Sequence, residues 1–243
     1  MIQITNTDVH GWTAAIRGMR NPMNSWDNSD SLEQFRVNMH GVQLGPNDLS
    51  LMKRLVAAGT DHSKFMRFIV VTCDIVAPMY WWKEFDTYKV GTVRNSCSTM
   101  HKITAKKFDL DDFSFNHLFC NEDVSVLWGD SVPVWTLSNT IEVLNEYRNK
   151  YLDCKSESMK KKYWWQLIQL LPSSYNQKST VQLNYAVLRN MYFARRAHKL
   201  DEWHDFCAWI EQLPYSELIT GETVDKLYRD ALDGIKTYGG EDK

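Results

Sequence analysis

Met66-Arg67-Phe68-Ile69-Val70-Val71-Thr72-Cys73-Asp74-Ile75-Val76-Ala77-Pro78-Met79-Tyr80-Trp81-Trp82-Lys83-Glu84-Phe85 is the stretch on which the fold turns. Its first half is dense in β-branched and aromatic residues, which predicts a strand over 66–76. Pro78 then stands where a helix begins, since a fixed φ and a missing N–H cost nothing at the first helical position. Met79 to Phe85 supply the first turns of that helix.

Downstream, residues 88–101 are mostly small, hydroxylic or β-branched and read as a loop or irregular strand, the kind of segment on which a rigid scaffold carries its sites. Upstream, residues 1–6 alternate like a short strand, and 18–31 have the Gly, Asn, Pro, Ser and Asp of a loop. Pro46-Asn47-Asp48 opens a helix with Asp48 as its N-cap and Gly59 as its stop. From Ser138 on the chain reads as helices near 138–153, 157–170, 179–198, 200–211 and 221–236. With no internal repeat, low-complexity tract or Gly/Ser linker, residues 1–243 read as a single α+β domain with a mostly helical C-terminal half.

The composition narrows the function. A formal net charge of −2 argues against a general nucleic-acid binder. No apolar run approaches the roughly eighteen residues of a membrane span, so no membrane partner is expected. Five widely spaced cysteines, an odd number without a CxxC pair, suggest neither a disulfide framework nor a zinc site. A reducing cytoplasm is the expected location. Ten Trp, eleven Tyr and ten Phe imply an aromatic core or stacking surfaces for a planar ligand. His198 and His204 lack the HExxH spacing, and no metal site is expected.

The strand running into Ala77-Pro78-Met79-Tyr80, followed by a helix with Lys83-Glu84-Phe85, resembles the step before the signature of the flavin-dependent thymidylate synthases. A second segment agrees: Leu171-Pro172, then Asn184 and Asn190, then Arg195 or Arg196. The resemblance implies a curved, mostly antiparallel sheet flanked by helical lobes, and a homotetramer with sites shared between subunits. It implies FAD as cofactor, NADPH and methylenetetrahydrofolate as co-substrates, and methyl transfer to C5 of dUMP. It places Glu84, Asn95, Ser96, Ser98 and Arg195 at the pyrimidine nucleotide, and Tyr88, Lys89, Asn184 and Asn190 at the flavin.

The ligand set is nevertheless rewritten. Where the family carries Arg-His-Arg, this chain has Thr87-Tyr88-Lys89; where it carries the signature serine, Cys97; and where an arginine follows, Thr99. A strand histidine is matched by Phe68 and a helix arginine by Ile168. A charge-assisted hydrogen bond contributes about 1.5–3 kcal/mol, so Lys89, Arg94 or Lys102 would have to replace the missing cations.

Several readings therefore stand side by side. Asn184 and Arg195, eleven positions apart on the expected 179–198 helix, differ by roughly 20° in direction. They form either an amide–guanidinium site or an ordinary polar face. Cys97 in Asn95-Ser96-Cys97-Ser98-Thr99 is either a buried small residue or a catalytic nucleophile, the latter if Lys89, Arg94 or His101 stabilises its thiolate. Trp81-Trp82 and Trp164-Trp165 are core or stacking platforms, and Arg17, Arg20 and Asn21 are a phosphate contact or plain loop. Three functions follow: a divergent thymidylate synthase, a pyrimidine-nucleotide enzyme with hydroxymethylating or cysteine-dependent chemistry, or a non-catalytic nucleotide-binding protein.

Overall fold

The computed structural model describes residues 2–36, 39–120 and 132–221; the helix expected over 221–236 lies outside them, apart from its first residue. In chain order the elements are β1 (Gln3–His10), α1 (Trp12–Arg20), β2 (Leu32–Arg36), β3 (Met39–Gln43), α2 (Pro46–Ala57), β4 (Val70–Pro78), α3 (Met79–Phe85), β5 (Val93–Ser96), α4 (Thr99–Lys102), α5 (Pro133–Asp153), α6 (Glu157–Leu170), β6 (Asn176–Asn184), α7 (Tyr185–Arg195), α8 (Asp201–Glu211) and α9 (Glu217–Thr220). Four strands form an open antiparallel sheet in the order β1-β4-β6-β5, and β2 and β3 form a separate antiparallel pair with Leu32 opposite Gln43 and Arg36 opposite Met39. By their contacts the residues gather into two compact units.

The first unit holds residues up to Gln3, Asp74–Thr87 and Arg94–Thr180. Helix α5 buries Leu137, Ile141 and Leu144, the i, i+4, i+7 stripe of an amphipathic helix. These meet Leu167 of α6 and Ile103, Phe108 and Phe113 in one hydrophobic cluster. Asn145 fastens Phe108 to α5 by accepting from its N–H and donating to its carbonyl, both at 2.9 Å. Trp81, Trp82 and Phe85 of α3 are all buried, with ring centroids 5.0–5.2 Å apart. Both members of the first tryptophan pair are thus core, each contributing about 2–3 kcal/mol by burial; Trp165 is exposed.

The second unit holds Ile4–Cys73, Tyr88–Val93 and the chain from Val181. Here the loop-coloured 18–31 stretch begins inside a helix, because α1 buries Trp12, Ala15, Ile16, Met19 and Arg20 along one face. Gly11 makes its start possible: φ is +89°, and a Cβ there would lie 1.9 Å from the Phe68 carbonyl oxygen. Asp48 is not the N-cap of α2, which Gly45 precedes. Its carboxylate sits fully buried, 2.6 Å from Arg20 Nη2, and accepts from Ser29 and Ser31. The capping falls to the distant Asp30, whose oxygens accept from Asn47 N–H at 2.9 Å and Asp48 N–H at 3.1 Å.

Two strand boundaries also differ from expectation. Residues 64–67 form a 3₁₀ turn closed by Phe68 N–H on the Phe65 carbonyl, so the central strand starts at Val70 and Phe68 lies outside it. Beyond Leu171-Pro172 the chain makes β6 before any helix, because Ser179, Val181 and Leu183 are buried in strict alternation with exposed Thr180 and Gln182. The expected 179–198 helix is therefore a strand to Asn184 and a helix from Tyr185.

Candidate functional site

The first unit carries the Asn95–Ser98 strip. Val93–Ser96 form the edge strand β5, and Ser98 caps α4 by accepting from His101 N–H at 3.2 Å. Asn95, Ser96 and Cys97 are exposed, which excludes the reading of Cys97 as a buried filler. The Cys97 backbone is held on both sides: its N–H donates to the Lys178 carbonyl at 2.9 Å, and its carbonyl accepts from Gln177 Nε2 at 2.8 Å. Glu84 lies half-buried on α3, with its carbonyl taken by the Thr87 hydroxyl at 2.7 Å.

Arg94 was a candidate to replace the missing phosphate-binding cations or to lower the thiol pKa. Its guanidinium is instead engaged internally: Nη1 donates to both Asp86 oxygens at 2.9 and 2.8 Å, Nη2 to Gln177 Oε1 at 2.7 Å and Nε to Ser179 Oγ at 3.0 Å. It also stacks 3.8 Å from the Trp82 ring centroid. A bidentate carboxylate neutralises the charge and the fork geometry fixes the plane. Lys89 and Lys102 remain exposed.

The second unit carries Tyr88, Lys89, Asn184, Asn190 and Arg195. Arg195, at the last turn of α7, donates from Nε to the Tyr88 hydroxyl at 2.8 Å. Its guanidinium lies 4.8 Å from the Trp203 ring centroid and 5.5 Å from that of Tyr88. Of the two candidate arginines, then, Arg195 joins the aromatic cluster, while Arg196 is exposed and stacks on Phe193 at 5.0 Å. Asn184 does not share a helix face with Arg195. It is the N-cap of α7, accepting from Val187 N–H at 3.0 Å, and its amide lies against Gly91, where φ is +82° and a Cβ would come within 3.0 Å of Asn184 Nδ2 and 2.9 Å of Val187 Cγ2. Asn190 and Lys89 are exposed.

Of the loop cations, Arg20 is 4% exposed and held by Asp48, Ser25 and Asn28, so it is a structural residue and not a phosphate contact. Among the described residues no group of three His, Cys, Asp or Glu is arranged to hold a metal. His198 Nδ1 accepts from Leu200 N–H at 3.1 Å, and His204 approaches Asp201 at 3.6 Å. All five cysteines are free thiols. No described helix is long and apolar enough to cross a membrane. Sequence reasoning missed Asp86, Gln177 and Ser179; nothing local marks them, because their significance lies in pairing with Arg94 across 8, 83 and 85 positions.

No family model matches this sequence, and no curated protein sequence does. Solved structures do match its fold. Thymidylate synthase X of Helicobacter pylori, determined with FAD and dUMP, superposes with a TM-score of 0.61 at 15% identity, over 91% of this chain and 98% of that one. A second structure of the flavin-dependent synthase from the same organism, also with FAD and dUMP, gives 0.62 at 15% identity, over 90% and 98%. The likeness runs nearly end to end and establishes the architecture: this chain is folded as the flavin-dependent thymidylate synthases are.

Proposed function

We propose that residues 1–243 act as one domain of a divergent flavin-dependent thymidylate synthase-like enzyme, a cytoplasmic homotetramer that transfers a one-carbon unit from methylenetetrahydrofolate to C5 of dUMP, with FAD as its redox group and NADPH as reductant. The observation that carries this reading is the near-complete overlap with a fold whose solved examples hold FAD and dUMP.

The residues at the flavin positions have the chemistry such a group needs. A dinucleotide offers a pyrophosphate and a planar ring. Lys89 and Asn190 are donors, and Tyr88 brings an aromatic face. Bound flavin supplies the reducing equivalents of the reaction. The chain's own part is binding and orientation. Arg195 fixes the Tyr88 phenol, which accepts its hydrogen bond and keeps a proton to donate to a ligand. Asn184 and Gly91 hold the start of α7 and the 88–93 segment close together. In the first unit, the exposed amide of Asn95 and hydroxyl of Ser96, with the half-buried hydroxyl of Ser98 that caps α4, present donors and acceptors for a pyrimidine edge, with Glu84 as a further substrate contact. Cys97 presents its thiol on a backbone anchored at both ends.

A second reading has its own observation. Arg94 is paired with Asp86, so a cation positioned to replace the missing arginines is engaged in structure instead. That favours a protein that binds a pyrimidine nucleotide by neutral donors, either with altered cysteine-dependent or hydroxymethylating chemistry or without catalysis. Purified protein decides between them. Visible flavin absorbance, FAD released on denaturation and formation of dTMP from dUMP, methylenetetrahydrofolate and NADPH support the enzyme; colourless protein that binds dUMP without turnover supports the second reading.

A further inference from the structure

A single carboxamide, that of Gln177, connects Arg94 to the backbone of Cys97. The guanidinium donates to Gln177 Oε1 at 2.7 Å, and the other end of the same carboxamide, Nε2, donates to the Cys97 carbonyl at 2.8 Å. Gln177 is fixed in turn, since its own carbonyl accepts from Trp82 Nε1 at 2.9 Å and Trp82 is 2% exposed beneath the guanidinium. Arg94 is anchored by Asp86 on one side and by the buried Ser179 hydroxyl on the other. The carboxamide is thus oriented by the guanidinium: a planar donor holds Oε1, which forces Nε2 toward Cys97. An edge strand has only one neighbour to hold it. Here β5 lies at the end of the sheet beside β6, and its far end is secured by this side-chain relay as well as by Cys97 N–H on Lys178.

We propose that Arg94 and Gln177 are positioning residues: together they set where the Asn95–Ser98 strip stands, and through it the affinity for a pyrimidine nucleotide. This rests on the reading of the strip as the nucleotide contact. Neither residue touches the ligand. The Arg94 cation is used here to align neutral hydroxyls, an amide and a thiol.

The discriminating substitution is Gln177→Glu. It keeps an acceptor for Arg94, now as an ion pair, and removes the donor to the Cys97 carbonyl. Full-length wild type, Gln177→Glu and Asp86→Asn are compared by thermal unfolding, by iodoacetamide alkylation of each cysteine read by mass spectrometry, and by dUMP titration calorimetry. The expected result for Gln177→Glu is a wild-type unfolding temperature, alkylation of Cys97 altered about threefold or more while Cys120 and Cys154 are unchanged, and dUMP binding about tenfold weaker, the scale of one lost hydrogen bond. Asp86→Asn, whose changed carboxylate is half exposed, loosens the guanidinium from its other end and shifts Cys97 in the same direction; it decides the matter should Gln177→Glu not fold. Cys97 alkylation at the wild-type rate in folded variants overturns the relay. If wild-type protein binds no dUMP, the nucleotide reading fails by itself, and the alkylation rates still decide whether Arg94 and Gln177 position the strip.

Discussion

Arg195 donates from Nε to the Tyr88 hydroxyl over 2.8 Å although 107 positions separate them, and its guanidinium rests 4.8 Å from the centroid of the fully buried Trp203. The aromatic rings hold the cation in one place, and the phenol fixes its orientation. Arg195→Ala is expected to weaken dUMP binding about tenfold or more, and Tyr88→Phe to weaken flavin binding a few-fold, on the scale of a single hydrogen bond to a charged group. Arg196→Ala, with its side chain in solvent, should stay within about twofold of wild type on the same grounds. Titration calorimetry with dUMP measures the two arginine variants and fluorescence titration with FAD measures Tyr88→Phe; a silent Arg195→Ala removes the cluster from the site.

The Arg20–Asp48 pair predicts an acid-sensitive fold. Burial pushes the Asp48 carboxyl up, but hydrogen bonds from Ser31 and Ser29 and the Arg20 guanidinium together bring it below the usual carboxylate value. A carboxyl whose folded pKa is depressed contributes stability above its unfolded value near 4, and that stability is lost as pH falls through the lower folded value. Asp48→Asn leaves a buried guanidinium unpaired and is expected to cost about 3–5 kcal/mol at pH 7. Urea unfolding at pH 7 and pH 3 checks both: the gap between wild type and variant should narrow at the lower pH.

Thiol reactivity should divide the cysteines. Cys97 and Cys120 are exposed, whereas Cys73 and Cys207 are buried, and burial raises the Cys207 thiol to about 11. Alkylation of native protein at pH 8 is expected at Cys97 and Cys120 first, with Cys73 and Cys207 labelled only after denaturation. Because Cys207 holds its proton more tightly folded than unfolded, its contribution to stability is complete below about pH 9 and falls between there and about pH 11.

Gly11→Ala is expected to destabilise by more than the roughly 1–2 kcal/mol of a left-handed backbone alone. The added methyl would meet the Phe68 carbonyl oxygen, so helix α1 or the 64–68 turn must move. Gly59→Ala tests the attribution, because its φ of +105° is similarly strained but nothing lies within 4 Å of the added carbon. Equal unfolding temperatures for the two variants would show that the carbonyl contact contributes nothing.

Assembly is the remaining prediction. A homotetramer requires each chain to bury surface on its neighbours, and light scattering at micromolar concentration should give about four times the monomer mass of 28.5 kDa. A monomer with undiminished dUMP binding would show that no residue from a second chain is needed.

Much of this architecture was legible where the signal is local. The strand entering Pro78 and the helix leaving it follow from β-branched density and proline's fixed φ, and α6 begins and ends where its pattern does, at Glu157 and Leu170. What escaped was set by distant partners. The alternation that makes β6 a strand runs only from Ser179 to Leu183 before helix-forming residues follow, so period 2 was lost inside period 3.6. The C-terminal part of α1 looks like a loop until Arg20 is seen closing on Asp48, 28 positions away. Cys97 and Arg195 could be singled out from position in a pattern, whereas Gln177 could not, because its two hydrogen bonds span more than eighty residues or nearly so.

The remote cap on α2 has a kinetic corollary. Asp30 occupies the first free amides of the helix, Asn47 and Asp48, from the segment that Arg20 holds at Ser25 and Asn28. Those amides can surrender their hydrogens to solvent only when that segment lifts away. Their deuterium uptake therefore clocks the opening of the 21–31 segment, and the start of α2 and that segment exchange as one cooperative foldon while the middle of the helix keeps its own, slower time.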